Sequence, residues 1–456
     1  MMRTKIISTY GPAISEENVL KEVLLYADII RFNFSHGTPE EKLAAKNQVL
    51  KLSREIGKDI ALLADLPGPK IRVSKLENDL FIKTGDTITF SHLSNVKSGE
   101  VPIEVDIFDD MKLGCEISIG DGNPKLEIIG LKDRKIICKA LQDGRIGSRK
   151  GINVKGIDMS AVPPTEEDLK LIEFVKQNDF DYIALSFVKS AENVNKARKV
   201  AGSVPLISKI ERREAIADIK NIVSVSDGIM IARGDMALNI DFNEVPIVQD
   251  KIITECRKQG KPVIVATQML ESMTRNQSPT RAEITDVANA VKQGTDCVML
   301  SDETAVGKYP IDTLKAMRSI ILYTEAVSKI SNNCALEFND KHEGIAEAAA
   351  AITRMCKSES LFVPTITGKT AKKLSSFRPE SEIISISNSE KLRRSLCIYY
   401  GIRGLNINEF SNEEEMTSKI NSYAKEKSIK SYIIVFGNSS NNGTSDTIKC
   451  FWQKTT

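Results

Sequence analysis

The chain has 456 residues, 41% of them hydrophobic and 27% charged, and its 63 basic and 61 acidic side chains leave a formal charge of +2. That length exceeds what one hydrophobic core usually serves, so two or three domains are expected. The balanced charge argues against a general nucleic-acid or membrane surface, and no apolar run approaches the roughly 20 residues a membrane helix needs.

The eight cysteines, at 115, 138, 256, 297, 334, 356, 397 and 450, show no C-x-x-C spacing. They read as reduced thiols of a cytoplasmic protein, because a chain this long does not need disulfide staples. The start, Met1-Met2-Arg3-Thr4-Lys5, runs straight into an apolar strand without the pattern of a signal peptide. Three histidines, His36, His92 and His342, stand in no metal-ligand spacing, which leaves oxygen ligands for any metal.

Short apolar runs alternate with helix-length amphipathic stretches, the pattern of parallel strands with crossover helices. Eight runs are expected as strands: Lys5 to Gly11, Ile29 to Phe34, Ile60 to Leu66, Tyr182 to Val188, Leu206 to Glu211, Gly228 to Ala232, Pro262 to Gln268 and Cys297 to Ser301. Eight such units predict an α/β fold, a (β/α)8 TIM barrel with its chemistry at the C-terminal strand ends. Between the third and fourth runs, Thr87 to Phe90 and Lys135 to Cys138 look strand-like in a stretch without long helical period, predicting a small inserted all-β domain. At the chemical end of a barrel it suits a mobile lid, or is mere decoration. A helix from Ile311 to Lys329 closes the series, and an alanine-rich segment from Ile345 opens a C-terminal α/β domain, with a loop at Asn438 to Asn442 before its last strand. The expected division is residues 1–70 and 156–332 for the barrel, 71–155 for the insert and 333–456 for the tail domain.

Polar residues stand where a barrel core should be apolar. Alternation along the second run sends Arg31, Asn33 and Ser35 to one side, and a buried arginine calls for an anionic ligand or an internal ion pair. Lys209 and Glu211 share a face of the fifth run, and Asp235 follows the sixth in Ala232-Arg233-Gly234-Asp235. Across neighbouring strands Glu211 and Asp235 can share one hard cation, with magnesium favoured when phosphate completes its shell, while Lys209 adds positive charge for an enolate and a transferring phosphoryl group. A plain Lys209–Glu211 salt bridge is the structural alternative. Asp65 can pair with Arg31 or bind a cation, Arg72 can reach phosphate, and Thr267 offers a hydroxyl at the same mouth. Thr280 and Glu283 have capping-box spacing and are expected to start a helix. In the tail, Thr365-Ile366-Thr367-Gly368-Lys369-Thr370 lies between a strand and a helix, as an anion-binding turn or an ordinary helix cap; Val363 where a first glycine belongs excludes a Walker A loop.

Together, Arg31-Phe32-Asn33-Phe34-Ser35-His36-Gly37, Ser208-Lys209-Ile210-Glu211, Ala232-Arg233-Gly234-Asp235 and Ala266-Thr267-Gln268-Met269-Leu270-Glu271-Ser272-Met273 resemble the pyruvate kinase family in order and spacing. The resemblance implies transfer of the phosphoryl group of phosphoenolpyruvate to ADP, giving pyruvate and ATP. By it, Glu211 and Asp235 hold magnesium, for which manganese can substitute. Lys209 stabilises phosphoryl and enolate charge, Arg31, Lys209, Gly234, Asp235 and Thr267 contact phosphoenolpyruvate or pyruvate, and Thr267 helps to protonate the enolate. Asn33, Phe34, Ser35, His36, Arg72 and Lys150 look like the nucleotide side. The resemblance further implies a homotetramer and a phosphorylated effector at Thr365, Thr367, Gly368, Lys369 and Thr370, joined by a loop comparable with Gly443-Thr444-Ser445.

Two departures stand out. Potassium-dependent members hold that ion through the positions of Asn33, Ser35, Asp65 and Leu66, and usually carry glutamate where Lys70 stands; the lysine ammonium can supply the charge itself, so activity without added potassium is expected. The usual Ser-Gly-Glu-Thr near the eighth strand reads Ser301-Asp302-Glu303-Thr304. The runner-up is a magnesium-dependent lyase acting on pyruvate-type enolates, and a silent effector-binding relative would be expected to lack Lys209, Glu211 or Asp235.

Overall fold

The structure, a computed structural model, describes residues 2–69, 71–120, 122–154, 162–328, 341–407, 412–437 and 446–452. Eight parallel strands close a barrel in sequential order: β1 (Lys5–Thr9), β2 (Ile29–Asn33), β3 (Ala61–Asp65), β4 (Tyr182–Leu185), β5 (Leu206–Ile210), β6 (Gly228–Ala232), β7 (Val263–Ala266) and β8 (Cys297–Leu300). Each lies inside one of the expected apolar runs. Helices cover the outer face of the sheet and the barrel interior buries the inner one, which is why these strands read as continuous hydrophobic runs. The helix Arg281–Gln293 starts at a complete capping box of Thr280 and Glu283, as its spacing predicts.

Every strand but β6 stops short of the end of its apolar run, and the ends of β2, β6 and β7 decide where candidate side chains stand. β2 ends at Asn33, so Ser35 sits in the following turn and not on the strand face. β6 ends at Ala232, and Arg233, Gly234 and Asp235 form the first turn of a short helix, Arg233–Asn239. β7 ends at Ala266, because Thr267 and Gln268 turn left-handed with φ of 69° and 54°.

At the N-terminal end, four aspartates repeat one contact. Asp28, Asp181, Asp227 and Asp296 precede β2, β4, β6 and β8, and each accepts the amide of a residue at the start of the odd strand before it: Ile6 at 3.0 Å, Leu62 at 2.9 Å, Leu206 at 2.8 Å and Val263 at 3.0 Å. An amide at a buried strand start needs an acceptor, and the carboxylate of the next strand supplies it.

The insert holds a six-stranded sheet in the order Ile152–Val154, Glu116–Ile119, Lys125–Lys132, Lys135–Ala140, Thr87–His92, Val101–Ile103, with a two-stranded ribbon, and has its own core around Phe90, Ile117 and Ile136. The C-terminal sheet orders Ile402–Leu405, Glu382–Ile386, Ser360–Pro364, Ser431–Phe436 and Thr447–Trp452, the last antiparallel. The expected limits at 70/71, 155/156 and 332/333, the loop at 438–442 and the triplet Gly443-Thr444-Ser445 fall on or beside residues outside those described. Among the described residues no helix is long and apolar enough to cross a membrane.

The C-terminal domain plugs the bottom of the barrel. Ile7, Leu63, Tyr182, Met230 and Met299 share one buried cluster with Leu396, Ile398 and Tyr399. The strand-start aspartates serve again here: Arg394 pairs with Asp181 at 3.1 Å and Arg378 with Asp296 at 2.6 Å, all four side chains nearly inaccessible. Burial raises the Asp181 carboxyl to about 6, with Arg394 opposing the shift. Removing Arg394 strands that carboxylate, so Arg394→Ala is expected to cost about 3–5 kcal/mol in urea unfolding. In the wild type the folded carboxyl binds its proton more tightly than the unfolded one, so its contribution falls as pH rises from 3.8 to about 6. Without Arg394 that window extends upward, and the destabilisation should be larger at pH 8 than at pH 5; equal losses at both would contradict the pairing.

Candidate active site

The C-terminal strand ends gather a buried charge cluster. Lys209, near the end of β5, places its Nζ 3.2 Å from Asp65 Oδ1, 3.2 Å from Glu211 Oε1 and 2.7 Å from Ser186 Oγ. Arg31 on β2 grips the other oxygen of Asp65, Nε to Oδ2 at 2.6 Å, and donates from Nη1 to Thr9 Oγ1 at 3.1 Å. Asp65 thus lies between two cations, and the Lys209 ammonium between two carboxylates. Asp65 and Glu211 are 1% and 0% exposed, so the charges persist only because they compensate each other.

The proton affinities follow. Burial pushes the Asp65 carboxyl up, but Lys209 and Arg31 outweigh it and hold the group below its ordinary value. Burial likewise works against the Lys209 ammonium, and Asp65 and Glu211 overcome it, keeping the lysine charged. For Glu211 burial wins, aided by Asp235 against Lys209, and the carboxyl is raised. That marks Glu211 as the member of the cluster short of positive charge.

Glu211 Oε2 accepts the Phe187 amide at 2.6 Å, presented by a left-handed residue with φ of 57° just beyond β4. Its Oε1, like Asp65 Oδ1, is buried without a hydrogen-bond partner although both face the ammonium. Asp65 has a cation on each oxygen, whereas Glu211 shares one ammonium and has Asp235 beside it, so its open oxygen suits a hard cation. Asp235, half-buried in the first turn after β6, raises Glu211 and is felt by Lys209 and by Arg72. Among the described residues no group of three or more His, Cys, Asp or Glu forms a metal cage. A pair of carboxylates with the remaining ligands left to substrate and water fits magnesium, which dehydrates reluctantly and favours substrate phosphates.

A second arrangement faces this cluster from β7. Thr267 is a β-branched residue at positive φ, a conformation costing on the order of 1–3 kcal/mol. Arg233 holds it there, donating to Thr267 O at 2.8 Å while its other nitrogen anchors on Asp286 at 2.8 Å. The Thr267 hydroxyl accepts the Gly234 amide at 2.8 Å and donates to Ala266 O at 2.6 Å. A Cβ at Gly234 would stand 3.4 Å from that hydroxyl, an ordinary contact, so space alone does not require glycine there.

Of the other candidates, Asn33 Oδ1 accepts the Ser35 amide at 3.0 Å. The Phe34 ring is buried against Phe174 and Phe180 and belongs to the core. Desolvation, then Arg72 and Lys42, hold the His36 imidazole below its ordinary value, with Asp302 opposing and Lys150 adding to the positive side. His36, Arg72, Lys150 and Asp302 therefore share one neighbourhood, and Arg72 reaches back to Arg149 O at 3.0 Å. Leu66 contributes its carbonyl, which accepts from Ser186 Oγ at 2.7 Å; Lys70 lies outside the described residues. In the tail, Thr365 Oγ1 accepts the Gly368 amide at 2.8 Å and Gly368, at φ 78°, starts the helix Lys369–Ser376, far from the barrel mouth in the fold.

Sequence reasoning missed Ser186, the Phe187 amide and Arg233. Ser186 carried a readable signal, a hydroxyl at the end of an apolar strand next to the Asp65 and Lys209 strands. The Phe187 amide carried none, because a left-handed phenylalanine has no sequence signature. Since Asp65 is the only carboxylate touching both Arg31 and Lys209 among the described residues, Asp65→Ala is expected to lose about 3–5 kcal/mol by chemical denaturation. A loss under about 1 kcal/mol, the range of a surface pair, would refute the clamp.

Comparison with known proteins points to one family. Family models described as pyruvate kinase, barrel domain, and pyruvate kinase, alpha/beta domain, match residues 1–314 and 343–451. Proteins named pyruvate kinase from Lactobacillus delbrueckii subsp. bulgaricus and Clostridium perfringens are 38% and 35% identical over 444 residues, covering 93% of this chain and 75% and 93% of theirs. A third, from Sporosarcina psychrophila, is 38% identical over 419 residues, 88% of this chain and 71% of that protein. With the barrel, the all-β insert, the α/β tail and the charged strand ends all in place, the chain belongs to the pyruvate kinase family.

Proposed function

We propose that the chain transfers the phosphoryl group of phosphoenolpyruvate to ADP, forming pyruvate and ATP, and that the residues clustered at the barrel mouth carry the reaction. The observation that carries this reading is the Lys209 ammonium, buried and fixed by Asp65, Glu211 and Ser186. A transferring phosphoryl group and an enolate both build negative charge, and a preorganised buried cation stabilises that charge without reorganising at the moment of reaction. Arg31 stands across Asp65 from Lys209, so phosphate and enolate ends of the substrate each meet a cation. Glu211 and Asp235 would hold magnesium, or manganese on the same oxygens, which supplies divalent charge toward phosphate and enolate oxygens.

Gly234 and Thr267 shape the pyruvate side. The Thr267 hydroxyl donates to Ala266 O, so delivery of its proton toward the enolate carbon requires the hydroxyl to turn about its Cβ–Oγ1 bond. The neighbourhood of Asn33, Ser35, His36, Arg72 and Lys150 is assigned to the nucleotide phosphates on the strength of its positive charge. Phe34 enters there only through its backbone. The insert, residues 71–155, acts as the lid that brings Arg72 and Lys150 over the mouth of the barrel formed by 1–70 and 156–332. Family likeness supports a cytoplasmic homotetramer and a phosphorylated effector at the Thr365 to Thr370 turn of the tail domain, 333–456.

Potassium is assigned no role. Both Asp65 oxygens already face cations and Asn33 Oδ1 is engaged by the Ser35 amide, and Lys70 stands where a glutamate is usual in potassium-dependent members. The test is pyruvate formation from phosphoenolpyruvate and magnesium-ADP in tetramethylammonium buffer, with and without potassium. Turnover should be insensitive to potassium and fall about 10²–10³-fold or more in Lys209→Met, the loss expected when one preorganised charge is removed. No turnover with any nucleoside diphosphate would sink the kinase reading, and a strict potassium requirement would sink the Lys70 argument alone.

A further inference from the structure

At the opposite end of the barrel from the reaction, a narrow cleft runs along the seam with the C-terminal domain. It contains about 220 Å3 of space not filled by atoms, its open mouth included, and its enclosed part is of the size of a water molecule. Arg257 and Lys261 line it from the barrel, and Lys372 and Arg378 from the tail. Four cations thus converge from two sides on one small space.

Among the described residues the one acid lining the cleft, Asp296, is already committed: both its oxygens are engaged by Arg378, at 2.9 and 2.6 Å, and it accepts the Val263 and Tyr400 amides as well. Asp227 acts on Lys261 and Lys372 at longer range but is paired with Arg198. Lys261 donates to Ser226 O at 2.6 Å. Lys372 is different. Among the described residues no oxygen accepts from its Nζ, which lies over the Tyr399 ring at 5.3 Å from the centroid. Burial pushes this ammonium below the ordinary lysine range, with Asp227 opposing the shift and Lys261 adding to it. Desolvated charge without a partner is costly, and the ring face offsets only part of it.

We infer that this cleft binds a small inorganic anion of halide size, chloride being the test case, which bridges Lys372 of the tail to the basic wall of the barrel. Such an ion sits between basic side chains of the two domains, and at free concentration L it stabilises the folded chain by RT ln(1 + L/Kd).

Thermal unfolding of the full chain in sodium chloride and in sodium gluconate at matched ionic strength tests this. Chloride should raise Tm by about 1–3 °C, the increment growing with the logarithm of concentration above Kd, as expected for one site filled to several times its Kd in a large chain. Lys372→Met should abolish the increment and be at least as stable as wild type in gluconate. Independently, crystals soaked in bromide should show an anomalous peak in contact with Lys372 Nζ. Equal Tm in the two salts, an undiminished increment in Lys372→Met, or bromide found only elsewhere would each overturn the site.

Discussion

The structure depends on how Asp65 is held. Its two oxygens face two cations, Arg31 and Lys209, and it lies at 1% exposure at the end of β3. Neither cation could stand in the mouth of a barrel without such a counter-charge, since a lone buried charge costs several kcal/mol after relaxation. The carboxylate in turn is ionised only because both cations are there. Glu211 extends the chain of dependence: it faces the same ammonium, has one oxygen without a hydrogen bond, and is pushed up by burial and by Asp235. The cluster as a whole is one positive charge short of comfort, and that shortage is the capacity to take up a metal with its substrate.

The same economy appears at the other end of the barrel. Asp28, Asp181, Asp227 and Asp296 accept strand-start amides, and two of them then take arginines from the tail domain. Catalytic and structural ends therefore use one device, a buried carboxylate shared between neighbouring strands, with opposite results. At the bottom both oxygens of Asp181 and of Asp296 are hydrogen-bonded; at the top some oxygens are left for a ligand. Beside these arginine–aspartate pairs Lys372 stands with no accepting oxygen among the described residues and an aromatic ring under its ammonium.

Much of this was legible in the sequence because the barrel's periodicity is strong. Eight apolar runs in a row admit few folds, and Arg31, Asp65, Lys209 and Glu211 stand out against them because strand interiors otherwise hold aliphatics. The pairing of Asp65 with Arg31 followed from strand adjacency, and the salt bridge of Lys209 with Glu211, the bland alternative, coexists with the functional reading because one ammonium serves both. What was not legible depends on backbone geometry. Nothing in Ala266-Thr267-Gln268 or Leu185-Ser186-Phe187 announces a left-handed turn, since neither contains the glycine that usually permits one. The strand ends were accordingly drawn too long, and Arg233, whose role is to hold such a turn, was passed over as part of a motif.

The account stands most directly on the open coordination of Glu211. Manganese binding to the full chain, followed by electron paramagnetic resonance in the presence of phosphoenolpyruvate, measures it. The account predicts one tightly bound ion per chain, lost in Glu211→Gln while the variant unfolds no more readily than the wild type. Undiminished manganese binding in a folded Glu211→Gln chain would contradict it, and would assign the orphaned oxygens to the Lys209 salt bridge alone.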